Sequence, residues 1–142
     1  MSRKRWAAKR AGYRSGYEHT VIQSLGAIPF EYETEKIPYV VPESKHTYTP
    51  DLIFKKRRGG KMYLELKGKL DSDGRKKLLH VKASNPDMDL RLCFQNPNVR
   101  ISKTSKTTYW MWAEKNGFLW CGPGIHPDWL REIAVDKPQK RR

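Results

Sequence analysis

Asp51, Glu65 and Lys67 are the residues of this chain whose types and spacing best suit a reaction. Pro50-Asp51 is followed, after thirteen residues, by Glu65-Leu66-Lys67. Side chains alternate along a strand, so Glu65 and Lys67 project to one face while Leu64 and Leu66 project to the other. Met62, Leu64 and Leu66 are apolar and suit a core face. Arg57-Arg58-Gly59-Gly60 reads as the turn of a β-hairpin between strands at 51–56 and 61–67. Such a hairpin brings Asp51 back alongside the 65–67 end, so that two carboxylates and one ammonium share a small patch. Carboxylate oxygens are natural ligands for Mg²⁺, which also binds substrate phosphate. A divalent ion there activates water and neutralises charge building on a phosphodiester under attack. A lysine beside the water orients it, lowers its pKa or stabilises the transition state. The opposing reading is an ordinary one. Glu-X-Lys on a strand is often a surface ion pair worth ~0–1 kcal/mol, Thr-Pro-Asp is a common turn, and Glu-Leu-Lys alone is a frequent chance match. The hairpin, the flanking apolar residues and the basic chain around the triplet favour chemistry.

Several elements must position these groups. A helix is predicted from near Ser15, a plausible N-cap, to about Leu25, with Gly26 ending it. Tyr17, Val21 and Leu25 recur at helical spacing with Ile22 beside them. Glu18 falls on the edge of that apolar face, where it can point into a cleft, complete a coordination shell and support a second ion ~4 Å from the first. Phe30–Val41 is extended, and Pro38 and Pro42 restrict it to an edge, a bridge or a bend. A helix is predicted from Ser72 or Asp73 to Ala83, opened by Asp71-Ser72-Asp73 and stopped by Asn85-Pro86. Strand, helix and strand through Leu90–Phe94 resemble a crossover unit. A last helix over 107–116, with Gly117 as its C-cap, precedes a short strand at 118–121. The total is an α/β chain: a mixed sheet of about four to five strands with helices packed on it.

Length and charge bound the rest. A chain of 142 residues suits one domain. With 29 Lys plus Arg against 15 Asp plus Glu, its net charge is +14, which favours a polyanionic partner over a surface charged only for solubility. Charge alone does not make an enzyme, since architectural nucleic-acid-binding proteins share it. Residues 1–14 read as a flexible basic arm and 137–142 as a basic tail, with a nuclease domain at 15–136 between them. No apolar stretch approaches the ~20 residues of a membrane span, and the charged N-terminus lacks a secretory signal's apolar segment. Cys93 and Cys121 are isolated thiols expected in the core of a cytoplasmic protein, and the scattered histidines do not suggest zinc. His46, just before Asp51, suits a structural hydrogen bond better than a phosphate contact. Glu31, Glu33 and Glu35 read as surface charges, although Glu31 could approach the carboxylate patch.

The sequence also resembles the endonuclease I resolvases of T-odd-type bacteriophages, members of the PD-(D/E)XK nuclease superfamily. Arg14-Ser15-Gly16-Tyr17-Glu18 is similar to the family's opening motif. Phe30-Glu31-Tyr32-Glu33, Ile37-Pro38-Tyr39-Val40-Val41-Pro42, His46-Thr47-Tyr48-Thr49-Pro50-Asp51 and Glu65-Leu66-Lys67-Gly68 resemble its later segments, and Asp73 with Arg75-Lys76-Lys77 resembles the start of its following helix. The resemblance implies a restriction-endonuclease-like fold and an intertwined homodimer. It implies a phage-encoded, Mg²⁺-dependent endodeoxyribonuclease, with Mn²⁺ substituting, that resolves four-way (Holliday) DNA junctions by paired nicks in the cytoplasm of the infected host. Glu18, Asp51 and Glu65 would then be metal ligands and Lys67 the water-activating lysine, with Glu18 reaching the site from the other subunit. Arg3, Lys4, Arg5, Arg10, Arg14, Lys69, Arg75 and Lys76 are candidate DNA contacts. Two features depart from the family. The hairpin looks longer by roughly the Lys55–Gly60 turn, whose basic residues suit a phosphate contact and a solvated turn equally. The aromatic group Tyr109, Trp110, Trp112 and Trp120 does not align; it reads as core, with base stacking the lesser alternative. The rival functions are a nuclease without junction selectivity and a non-catalytic nucleic-acid-binding protein.

Overall fold

The computed structural model describes residues 12–41 and 44–135. The tail at 137–142, and all of the arm at 1–14 except its last three residues, lie outside the described residues. Helices α1 (Gly16–Ser24), α2 (Ser72–Ser84), α3 (Tyr109–Lys115) and α4 (Pro127–Glu132) accompany seven strands: β1 (Glu31–Tyr32), β2 (Ile37–Val41), β3 (Ser44–Tyr48), β4 (Leu52–Lys55), β5 (Lys61–Lys67), β6 (Asp89–Phe94) and β7 (Trp120–Cys121). Five strands form one mixed sheet in the order β1-β4-β5-β6-β7, and β2 pairs with β3 in a separate antiparallel ribbon.

The local causes match the sequence closely at most elements. Ser15 caps α1, its hydroxyl accepting from the Glu18 N–H at 3.1 Å. Gly26 follows with φ +58, a left-handed position that suits glycine. Asp71 caps α2 by accepting from Gly74 N–H, and Asn85 ends the helix before Pro86. Gly59 and Gly60, at φ +96 and +77, turn the chain between β4 and β5. The hairpin pairs Leu52 with Leu64 and Lys55 with Lys61. After the α2 crossover, β6 runs parallel to β5. Pro38 lies within β2 opposite Thr47; in a two-stranded ribbon each strand has an open edge, so the missing N–H is tolerated.

Alternation along β5 and β6 divides the core between the two sheet faces. Met62, Leu64 and Leu66 join Cys93, Val21, Ile22 and Leu25 on the α1 side. Leu92 and Phe94 join Leu78, Val81 and Trp112 on the α2 and α3 side. Glu65 and Lys67 share the second face, as the period of two requires. Cys93 and Cys121 are buried free thiols. Tyr109 and Trp112 are buried, and half-buried Trp110 and Trp120 stack at 5.8 Å, so the aromatic group is largely core.

Two elements were not anticipated. β3 lacks a clean apolar alternation, and its partner is a local ribbon strand. α4 is six residues long, too short for helical periodicity; His126 caps it and Pro127 opens it. Beyond α4 the chain clasps the hairpin: Arg57 N–H donates to Glu132 O at 2.8 Å, and Ala134 N–H donates to Lys55 O at 2.8 Å. Among the described residues, no helix is long and apolar enough to cross a membrane.

Candidate metal centre

Where β5 ends, a cavity of about 670 Å³ opens between the first turns of α1 and α2. Glu18, Asp51, Glu65 and Lys67 all line it. The four side chains named from the sequence therefore meet at one place within a single chain.

Each is held by identifiable neighbours. The α1 cap fixes Glu18 in the first turn, where its side chain is buried and Oε2 accepts from the Tyr32 hydroxyl at 3.1 Å. Burial raises the Glu18 pKa, against the pull of that hydrogen bond. Asp51 sits just before β4, and its Oδ2 accepts from Leu66 N–H at 2.8 Å, a bond that locks it beside β5. Burial, then the charge of Glu65, pushes the Asp51 carboxyl up to about 8. Glu65 accepts from the Tyr48 hydroxyl through Oε2 and lies 3.3 Å from Lys67 Nζ through Oε1. Burial, followed by Glu65, raises the Tyr48 phenol well above its ordinary value, so it remains a donor. Gly74 keeps the first turn of α2 clear: a Cβ there would lie 3.1 Å from Asp71 Oδ1 and 3.8 Å from Lys67 Nζ.

One further carboxylate belongs to the group. Glu33 offers an oxygen that, with one each from Glu18 and Asp51, forms a trio lying within 4.8 Å of one another. It has φ +51, and its N–H donates to Asp51 O at 3.3 Å, while Arg14 Nη1 lies 3.1 Å from Glu33 Oε1. Glu31, the member of that acidic run expected to approach the patch, instead accepts from Thr34. Glu35 pairs with Lys61 at 2.6 Å. Strict alternation would set all three glutamates on one face. The left-handed residue breaks the pattern, and no residue type at position 33 announces it.

The donor chemistry fits an oxygen-seeking cation. Three carboxylates at bridging distance, with Glu65 adjacent, concentrate negative charge that a divalent ion relieves, and hard oxygen ligands suit ions of the magnesium and calcium type. Soft ligands are not part of this group. Glu18, Glu33 and Asp51 could hold such an ion.

The cations expected to meet a polyanion are distributed unevenly. Arg14 and Lys69 line the cavity, as does Lys77, which is not among the candidate DNA contacts named from the sequence. Arg75 turns inward and donates Nη1 to Leu70 O and Ile101 O at 2.9 and 3.2 Å. Lys76 is exposed and not part of the cavity wall. Arg3, Lys4, Arg5 and Arg10 lie outside the described residues. His46 stacks on Tyr39 at 5.5 Å, away from the cavity lining.

A mixed sheet and its first helix that bring three carboxylates and a lysine to one cavity, with Glu33 in reach of two of them, define an α/β protein whose acidic cluster could hold a cation beside an ammonium group. The chain belongs to the phage endonuclease I family, which it matches over residues 1–141. It is 36% identical over 135 residues to Endonuclease I of Escherichia phage T7, covering 94% of this chain and 88% of that protein. It is 42% identical over 128 residues to Endodeoxyribonuclease 1 of Enterobacteria phage T3, covering 89% and 82% respectively.

Proposed function

We propose that this protein is a magnesium-dependent endodeoxyribonuclease that resolves four-way DNA junctions by paired nicks. The observation that carries the reading is the meeting of Asp51, Glu65 and Lys67 with Glu18 in one cavity. Relatives named as an endonuclease and an endodeoxyribonuclease support it, and so does the net charge of +14.

Glu18, Asp51 and Glu65 would hold the ion, with Glu33 in reach of Glu18 and Asp51 as a further ligand; Mn²⁺ would substitute. When bound, magnesium supplies an activated water and neutralises charge on the phosphate under attack. Lys67 contributes a proton donor at Nζ, held 3.3 Å from Glu65 Oε1, where it orients the attacking water and steadies the charged transition state. Arg14, Lys69 and Lys77 bind the backbone flanking the scissile phosphate. The arm at 1–14 and the tail at 137–142 flank a nuclease domain at 15–136 and add further phosphate contacts. The fold is of the PD-(D/E)XK type and the working unit is a homodimer. A near two-fold junction presents two opposed strands, and a symmetric dimer sets one site against each.

The test is cleavage of an end-labelled synthetic four-way junction in Mg²⁺, beside the matched linear duplex, with Lys67→Ala as control. Paired nicks on the junction, weak on the duplex and absent from the variant, are expected. Equal rates on both substrates would leave a nuclease without junction selectivity. No metal-dependent cleavage of either would reduce the site to a binding surface.

A further inference from the structure

The two oxygens of Glu65 face different partners. Oε1 looks toward Lys67, and Oε2 accepts from Tyr48. Tyr48 ends β3, three residues before Asp51, and is 2% exposed. It packs in the cluster that contains Leu70 and Leu78, and Lys77 Nζ lies 5.7 Å from its ring centroid. That packing holds the ring, and its hydroxyl meets Glu65 at the wall of the cavity.

A carboxylate oxygen that accepts from a fixed buried hydroxyl cannot turn freely toward a cation, so coordination is biased to the other oxygen, Oε1, where the ion would compete with Lys67. That distinction separates the two common hard ions. Magnesium demands near-ideal octahedral geometry at 2.0–2.1 Å, whereas calcium, at 2.3–2.6 Å, accepts a carboxylate through both oxygens. We propose that Tyr48 is a positioning residue that sets the cation preference of the site, because its hydroxyl holds Glu65 to single-oxygen coordination. The inference rests on the reading of Glu65 as a metal ligand.

Tyr48→Phe keeps the ring and removes the donor. Calorimetric titration of the full-length protein with Mg²⁺ and separately with Ca²⁺ reads the preference directly. Loss of one hydrogen bond to a charged group corresponds to roughly a tenfold change, so the ratio of Ca²⁺ to Mg²⁺ affinity should rise by about that factor in the variant. Junction cleavage at saturating Mg²⁺ should show a lower kcat with KM unchanged. A hydroxyl that only stabilises the fold would lower the melting temperature and leave the affinity ratio at its wild-type value, and that result overturns the inference. Tyr48 replaced by 3-fluorotyrosine, a stronger donor with the same packing, guards against a misfolded variant and should move the ratio toward Mg²⁺; no movement counts against the inference. Glu65→Gln separates the two levels. If it leaves both affinities unchanged, Glu65 is not a ligand and both readings fail. If it weakens them while the Tyr48 variants keep the wild-type ratio, the inference about Tyr48 fails alone.

Discussion

Glu65 and Lys67 are two residues apart on a strand, and that separation alone sets them on one face with their polar ends 3.3 Å apart. Lys67→Ala removes a proton donor that acts in the transition state, so cleavage should fall by about 10²–10⁴ while junction affinity in a gel-shift assay is retained. Glu65→Gln should behave alike; loss of binding in step with cleavage would mark the pair as structural. Asp51, Glu65 and Lys67 were legible because strand alternation and a short turn are local rules. Glu33 was not, because its place in the carboxylate trio depends on a left-handed backbone. That conformation costs on the order of 1–3 kcal/mol for an ordinary residue, and asparagine tolerates it better. Glu33→Asn should therefore hold or raise the melting temperature while it weakens Mn²⁺ binding in a titration. A variant that melts early with metal affinity intact would assign Glu33 to the fold instead.

At the scale of the element, the first turn of α1 carries both structure and site. The Ser15 hydroxyl caps the N–H of Glu18 itself. Ser15→Ala should cost about 1 kcal/mol, or roughly 3 °C in Tm, and also lower cleavage, because the uncapped turn carries the cavity's carboxylate. If cleavage at a temperature well below Tm is unchanged, the cap serves the helix alone. Caps, turn glycines and the crossover could be read directly, since each depends on a few adjacent residues. The β2–β3 ribbon and the pairing of β1 with β4 could not. β1 is two residues long, and what makes it a strand is its neighbour.

Across the whole molecule, one charged network joins distant parts of the chain. Arg91 is buried and bonds both Asp89 and Glu132, and Lys56 bonds Asp89 at 2.9 Å, so β6, the hairpin and α4 are tied together. Burial alone would raise Asp89, but hydrogen bonds from Arg91 and Lys56 outweigh it and leave the carboxyl below its ordinary value. The Arg91 hydrogen bond likewise holds Glu132 down. A carboxylate whose folded pKa is depressed stabilises the fold above its unfolded pKa and loses that contribution as pH falls through the folded value. This network's contribution should thus be constant from neutral pH to about 5 and be lost below about 4. The Tm difference between the wild type and Glu132→Gln should therefore be steady above about pH 5 and shrink below about pH 4. It is superimposed on the gain that Asp51, with its raised carboxyl, gives both proteins as pH falls below about 8. An identical acid limb in that variant would mean that the network carries no such linkage.

The clasp between the hairpin and the segment after α4 has a practical reach. Lys55 and Ala134 are bonded at the end of β5 remote from Lys67, and six residue steps along that strand span about 20 Å. Arg14, by contrast, lies on the cavity wall. A fluorophore, surface anchor or fusion partner joined at Val135 would sit by the end of the hairpin remote from the cavity mouth. The same cargo attached just ahead of Arg14 would hang over that mouth, so the choice of tethering end decides whether an immobilised protein works.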